Sequence, residues 1–232
     1  NRDRTFSYLA VYRIPERRFV RLADDELRDV APAPRTRWTI GSDNREYERD
    51  GNLRGMRYRD VYVVDQQTGE RRKAVSRGWG PQSLSPDGSK LLFWNDGHYH
   101  VYDISTGTTR NVTDGLPVSF VNIEDDHNLD RPAIPPQGWA ADGQSVLLTD
   151  GWDIWNVPLR GGRAVNLTVN GRQQGIPYQR RLVFDPRARD FDLKQPLLLA
   201  AYGERTKQEG VARVDPGKPG ARMLMTADAR LG

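Results

Sequence analysis

His98 and His100 stand two apart in the run HYHVYD, and Glu124-Asp125-Asp126-His127 with Asp130 makes the densest acidic cluster of the chain. Two histidines at that spacing on a strand face the same way, which is how a metal site begins. A metal needs one or two further ligands converging there, and the neighbouring sequence supplies none, so both read as ordinary surface or packing histidines. The acidic cluster has the residue types to hold Ca²⁺ or the amino terminus of a peptide. A Ca²⁺ loop wants carboxylates at alternating positions around a tight Gly turn, and no Gly lies inside this cluster. Glu124, Asp125, Asp126, His127 and Asp130 therefore stand as a partner- or substrate-facing loop, against the plainer reading of a solvated loop ordered by its own charges.

Covalent chemistry has less to work with. Cysteine is absent, which removes thiolate nucleophiles, disulfides and Cys-ligated metals. The G-x-S-x-G elbow that presents a hydrolase serine occurs nowhere; Gly143-Gln144-Ser145 comes nearest, but Leu147 stands where the second Gly belongs. No catalytic, cofactor-binding or metal-binding residue is assigned, and the chain alone is not expected to hydrolyse peptides. The six Trp would suit a stacking surface for sugar or single-stranded nucleic acid, yet Trp38, Trp94 and Trp155 recur at strand positions and Trp139 precedes a turn, which is the pattern of core packing. Asn111-Val112-Thr113 and Asn166-Leu167-Thr168 match the glycosylation sequon. They are one repeat position seen twice, and that points to a structural cause.

Charge narrows the partners. Lys+Arg number 35 against 31 Asp+Glu, and no run of five basic residues occurs, so there is no nucleic-acid stripe. No apolar run approaches the roughly 18–20 residues of a membrane span. The chain opens on Asn without a signal-type apolar region, and is expected to be an excised piece of a longer protein.

The elements that carry these residues are short strands punctuated by turns. Ser85-Pro86-Asp87-Gly88 is a turn, because Pro presets φ and Gly accepts positive φ. KLLFW (90–94) reads as a strand buried on both faces, and Asn95-Asp96-Gly97 as a hairpin turn into His98–Ile104. Ser105-Thr106-Gly107 turns the chain again, completing a four-stranded meander. Copies of it recur. VYRIPERRFVRLAD (11–24), VVDQQTGERRKAVS (63–76) and WDIWNVPLRGGRAVNLT (152–168) fall on the frame of VYDISTGTTRNVTD (101–114), with VARVDPGKPGARMLMT (211–226) a weaker copy. Such meanders bury their faces by stacking radially, so the fold class is all-β, with β-propeller blades favoured over a sandwich. The frame predicts a half-blade at 8–24 and blades over about 28–76, 78–114, 136–169 and 180–227, with insertions at 45–59 and 114–137. Upstream turn-and-strand halves recur as well, in Trp139-Ala140-Ala141-Asp142-Gly143 then SVLLTD (145–150) and in Phe184-Asp185-Pro186 then PLLLAA (196–201).

The segments RDVYVVDQQTGE, LSPDGSKLLFW, FVNIEDDHNLDRPAIPPQGWAADGQSVLLTDGWDIWNVP, AVNLT and PLLLAAYGERTKQEG resemble the propeller region of the prolyl oligopeptidase family of serine peptidases, in bacterial members related to dipeptidyl peptidases. The resemblance spans most of residues 36–215. It implies a parent whose separate α/β-hydrolase domain holds the Ser, Asp and His, with the propeller covering it and filtering peptide substrates by size. It also points to a periplasmic or secreted bacterial protein. No cofactor is implied. A stand-alone TolB-like propeller that scaffolds protein–protein contacts is the alternative, and a propeller hydrolase or lyase with its site in the channel is the weakest reading. Counting half-blades leaves an open sector of about four blades from a larger propeller. Its unpaired ends are expected to self-associate.

Overall fold

The computed structural model describes residues 7–33, 35–126, 131–185, 188 and 190–228. It divides into two compact units, residues 1–95 with 101–110 and residues 96–100 with 111–232. Turn chemistry sets the strand boundaries in both. Asp96 and Gly97 both have positive φ, 48° and 80°, as a two-residue type I′ hairpin requires. In Ser85-Pro86-Asp87-Gly88, the Gly88 N–H donates to Ser85 O at 2.8 Å, and Asp87 accepts from the Ser85 hydroxyl at 2.6 Å and the Ser89 N–H at 3.1 Å. Asp65 and Asp103 fold back on their own turns in the same way: each carboxylate accepts the N–H two residues on, at 2.8 and 2.9 Å.

In the first unit, β1 (Ala10–Arg13) and β2 (Arg18–Arg21) pair as a two-stranded sheet. A four-stranded antiparallel meander follows, built from β3 (Asp29–Val30), β4 (Trp38–Asp43), β5 (Arg59–Asp65) and β6 (Arg71–Gly78). The insertion between β4 and β5 contains a short helix, α1 (Glu48–Arg54), closed by Gly55 in the left-handed region. The Tyr47 hydroxyl, on the turn before α1, ties the insertion to Asp60 at 2.7 Å. Burial pushes the Asp60 carboxyl up, but hydrogen bonds from Lys73, Tyr47 and the Arg77 N–H outweigh it and hold Asp60 below its ordinary value.

The third sheet, β7 (Gln82–Leu84), β8 (Lys90–Asn95), β9 (His98–Asp103) and β10 (Thr108–Asn111), is a second meander in sequence order. β8 is buried from Lys90 to Trp94, as its unbroken apolar run predicts. In the second unit, β11 (Gly138–Ala140), β12 (Ser145–Thr149), β13 (Ile154–Pro158) and β14 (Val165–Asn166) form another meander. After it come α2 (Gly171–Gln174) and a sheet of β15 (Tyr178–Arg181), β17 (Leu197–Tyr202), β18 (Glu209–Asp215) and β19 (Lys218–Ala227).

One element departs from the four-stranded antiparallel pattern. β16 (Asp190–Phe191), which lies between β15 and β17 in sequence, joins the neighbouring sheet parallel to β11 through Trp139↔Asp190 and Ala140↔Phe191. The chain thus adds a pairing to the neighbouring sheet before it enters β17. Its reward is burial: Phe191 is 3 % exposed and packs with Leu147 and Leu197, while Phe184 stays 77 % exposed.

Within each unit the sheets stack face to face. Val61, Val63 and Val75 of the second sheet meet Leu91, Phe93, Tyr102 and Ile104 of the third. Val20 and Leu22 on or just after β2 meet Leu27, Val30 and Val64. In the second unit, Leu147 and Ile154 meet Tyr178, Leu197, Leu199 and Val214. Each such side chain contributes about 1.5–3 kcal/mol by leaving water, so the contacts between meanders hold the fold more than any one hairpin does.

Candidate functional site

The longest connection of the chain leaves β10 and returns at β11. In an up-and-down meander the β8–β9 turn and the exit of the fourth strand lie at the same end of the sheet, so this insertion starts beside Asp96-Gly97-His98. Asn111 fixes its first step, because Oδ1 accepts the N–H groups of Thr113 at 3.0 Å and Asp114 at 2.9 Å. Thr113 then latches back onto β9. Its Oγ1 accepts the Tyr99 N–H at 3.0 Å and lies 3.2 Å from His98 Nδ1. Tyr99 is fully buried, meets Phe120 edge-on with ring centroids 6.5 Å apart, and donates its hydroxyl to Ile134 O at 2.7 Å. Burial pushes its phenol well above the ordinary value.

The second half of the insertion is a necked loop. Ile134 N–H donates to Phe120 O at 2.9 Å, Val121 bridges Ala133, and Asn122 N–H donates to Pro132 O at 2.7 Å. Beyond the neck, Asn122 Oδ1 accepts the Glu124 N–H at 3.2 Å. Glu124 and Asp126 are exposed there, and Asp125 is half-buried. Three of the five predicted loop residues, Glu124, Asp125 and Asp126, thus follow directly on the neck. His127 and Asp130 lie outside the described residues. Among the described residues no three of His, Asp and Glu group as metal ligands. His98 and His100 flank buried Tyr99 on β9, and burial pushes the His100 imidazole below its ordinary value.

Residues 115–120 also wall a cavity of about 340 Å³, together with Gly97, His98 and Thr113. Sequence reasoning missed it. The only signal was the apolar stretch GLPVSF directly after the Asn-Val-Thr step.

The latch recurs in the fourth sheet. Asn166 Oδ1 accepts the N–H groups of Thr168 at 3.1 Å and Val169 at 2.7 Å. Thr168 Oγ1 accepts the Ile154 N–H at 3.0 Å and donates to Asp153 Oδ1 at 2.6 Å. Both Asn-x-Thr steps therefore join the fourth strand of a meander to its third. Of the tryptophans, Trp94 and Trp139 are buried, and Trp38 lies under the Arg72 and Arg37 guanidiniums at 4.5 and 5.5 Å; Trp79, Trp152 and Trp155 are half-buried.

No family model and no curated protein matches the chain. Solved structures do. The fold superposes on dipeptidyl peptidase 4 of Porphyromonas gingivalis with a TM-score of 0.61 at 12 % identity, over 98 % of this chain and 38 % of that one. The chain is a β-propeller region. The propeller also matches a prolyl endopeptidase, with a TM-score of 0.53 at 15 % identity over 86 % of this chain and 30 % of that one. A third match is an oligogalacturonate lyase from Vibrio parahaemolyticus, with a TM-score of 0.52 at 11 % identity over 95 % and 59 %. The propeller spans less than two thirds of each of these proteins, and at such identities the likeness is one of fold.

Proposed function

We propose that this propeller is the non-catalytic, substrate-filtering region of a serine peptidase of the prolyl oligopeptidase kind. On this reading an α/β-hydrolase domain elsewhere in the parent carries the Ser, Asp and His, and the propeller covers that active site and admits peptides by size. The observation that carries the reading is the match of 98 % of this chain to a 38 % portion of a dipeptidyl peptidase. The motif run EDDH, GWAADG, LLTDGWDIW and NLT points the same way. The missing G-x-S-x-G fits a division of labour in which covalent chemistry lies on another domain. The stretch carrying Glu124, Asp125 and Asp126, charged and held at the Val121–Ala133 neck, is the segment suited to face a partner or substrate.

The test is the length dependence of hydrolysis by the purified parent. Prolyl reporter peptides of increasing length should show kcat/KM falling by about tenfold or more past a size threshold. Equal kcat/KM at all lengths, or no hydrolysis of any reporter, overturns the reading.

A further inference from the structure

The two Asn-x-Thr latches are the same device, yet what lies beside them differs. Superposing their hydrogen bonds makes Tyr99 equivalent to Ile154, and hence His98 equivalent to Asp153. In the fourth sheet the space beside Asp153 is filled by the protein's own backbone. The Gly171 N–H at the start of α2 donates to Asp153 Oδ1 at 2.9 Å. A Cβ at Gly171 would stand 2.5 Å from Trp152 O and 2.9 Å from both Asp153 Oδ1 and Ile176 O. In the third sheet the chain leaves Thr113 by another route, and the corresponding space beside His98 is the 340 Å³ cavity. A Cβ at Gly115 or at Gly97, both in its lining, would meet nothing within 4 Å.

The polarity is inverted as well. Asp153 accepts, and Thr168 and Gly171 donate to it. If the Thr113 hydroxyl donates as that of Thr168 does, His98 Nδ1 accepts and the neutral imidazole carries its proton on Nε2. Nε2–H has no acceptor among the described residues. The same holds for the backbone N–H groups of Gly115, Val118, Ser119 and Phe120, which all belong to lining residues. The lining contains no Asp or Glu; Leu116, Pro117, Val118 and Phe120 give it apolar side chains beside the polar ones of His98, Thr113 and Ser119. Donors without acceptors, set beside apolar side chains and with no carboxylate in the lining, describe the complement of one kind of ligand.

We infer that this cavity binds a carboxylate carried on an apolar body, with the carboxylate on His98 Nε2–H and the free N–H groups of the 115–120 loop. Its volume is at the lower end of the roughly 300–1,000 Å³ range of small-molecule sites, which suits a single apolar residue with a terminal carboxyl. The site stands on geometry within one unit of the chain and does not depend on the peptidase reading. The carboxylate has two sources, the carboxyl terminus of a peptide ending in an apolar residue or a free apolar acid, and the experiment separates them.

The full chain is titrated with the tripeptide Ala-Ala-Leu, with its carboxyl-terminal amide, and with 4-methylpentanoate, following the His98 ring and the amides of Val118, Ser119 and Phe120 by NMR. The tripeptide acid should shift these signals and saturate with a dissociation constant of about 1 mM or tighter, and the amide should bind at least about tenfold more weakly. If 4-methylpentanoate binds as well as the tripeptide, the free acid is the ligand class; if it binds less well, the peptide terminus is. His98→Asp is the decisive variant. It keeps a partner for the Thr113 hydroxyl, as Asp153 does for Thr168, so it should fold while losing the binding. No saturable shift below about 10 mM with either acid would overturn the assignment. So would an amide that binds as tightly as the acid, or unchanged binding in a folded His98→Asp.

Discussion

Replacing Thr168 by valine removes one hydroxyl and almost no volume, and it separates the latch from the packing around it. Thr168 is fully buried. Its hydroxyl accepts from Ile154 N–H at 3.0 Å and donates to Asp153 Oδ1 at 2.6 Å, with Asn166 Oδ1 a longer alternative acceptor at 3.4 Å. The bond to the acid is worth about 1.5–3 kcal/mol, and the orphaned Ile154 N–H costs about 1–3 kcal/mol more. Asp153 keeps the Gly171 N–H, so the loss is partial, and Thr168→Val should cost about 3–4 kcal/mol. Thr113→Val breaks the equivalent latch but should cost only about 1–2 kcal/mol. His98 is half-exposed and can take water in place of the lost hydroxyl, which leaves the Tyr99 N–H as the one buried orphan. Urea unfolding followed by tryptophan fluorescence, with m unchanged, measures both. Equal costs, a larger cost for Thr113→Val, or a cost below about 1 kcal/mol for Thr168→Val would refute the latch as the reason for the Asn-x-Thr repeat.

Gly171→Ala should cost about 3 kcal/mol or more, because its Cβ would lie 2.5 Å from a carbonyl oxygen, whereas Gly115→Ala should cost only about 1 kcal/mol of backbone strain at φ 71°; the two denaturation midpoints check this. The Arg71 guanidinium, helped by the N–H groups of Leu27 and Glu26 and opposed by burial, holds the Asp24 carboxyl at about 2. A depressed carboxyl stabilises above its unfolded value near 4 and loses that contribution as the pH falls toward 2. Arg71→Met should therefore lower stability at neutral pH by about 1 kcal/mol, with the partial exposure of the pair discounted, and flatten the loss between pH 4 and 2 in urea titrations at stepped pH. The β1–β2 sheet exposes the cross-strand pair Tyr12 and Phe19, at 58 % and 67 %, beside Ile14 at 77 %. We propose that two copies associate through this exposed two-stranded sheet; sedimentation velocity should show a concentration-dependent dimer that Phe19→Lys abolishes, and a monomer at all concentrations would refute it.

What the sequence made legible was mostly turn chemistry. Asp96-Gly97 and Ser85-Pro86-Asp87-Gly88 announce positive φ at fixed offsets, and the structure has it at Asp96, Gly97 and Gly88. The Asn-x-Thr steps were readable as a repeat because both are held by the same local bonds. β16 was not readable. A two-residue parallel pairing has no period, and what draws Asp190–Phe191 to β11 is a pocket for Phe191 made by residues distant in sequence. α1 was hidden for a different reason. Glu48–Arg54 contains Gly51, a poor helix former, and Gly is needed there because a Cβ would lie 2.4 Å from Met56 O. At the site, the acidic loop was visible as composition, whereas the cavity depends on where the chain goes after Thr113. That route differs from the one after Thr168 although the motif is the same.

The central claim, that this propeller filters substrate for chemistry carried elsewhere in its parent, meets its most direct test in labelling the parent protein with a fluorophosphonate and mapping the modified residue by mass spectrometry. One labelled serine is expected, in a G-x-S-x-G setting outside these 232 residues, with loss of prolyl-reporter hydrolysis in step with labelling. A parent that takes up no label, or one labelled at a serine within these residues, would contradict it.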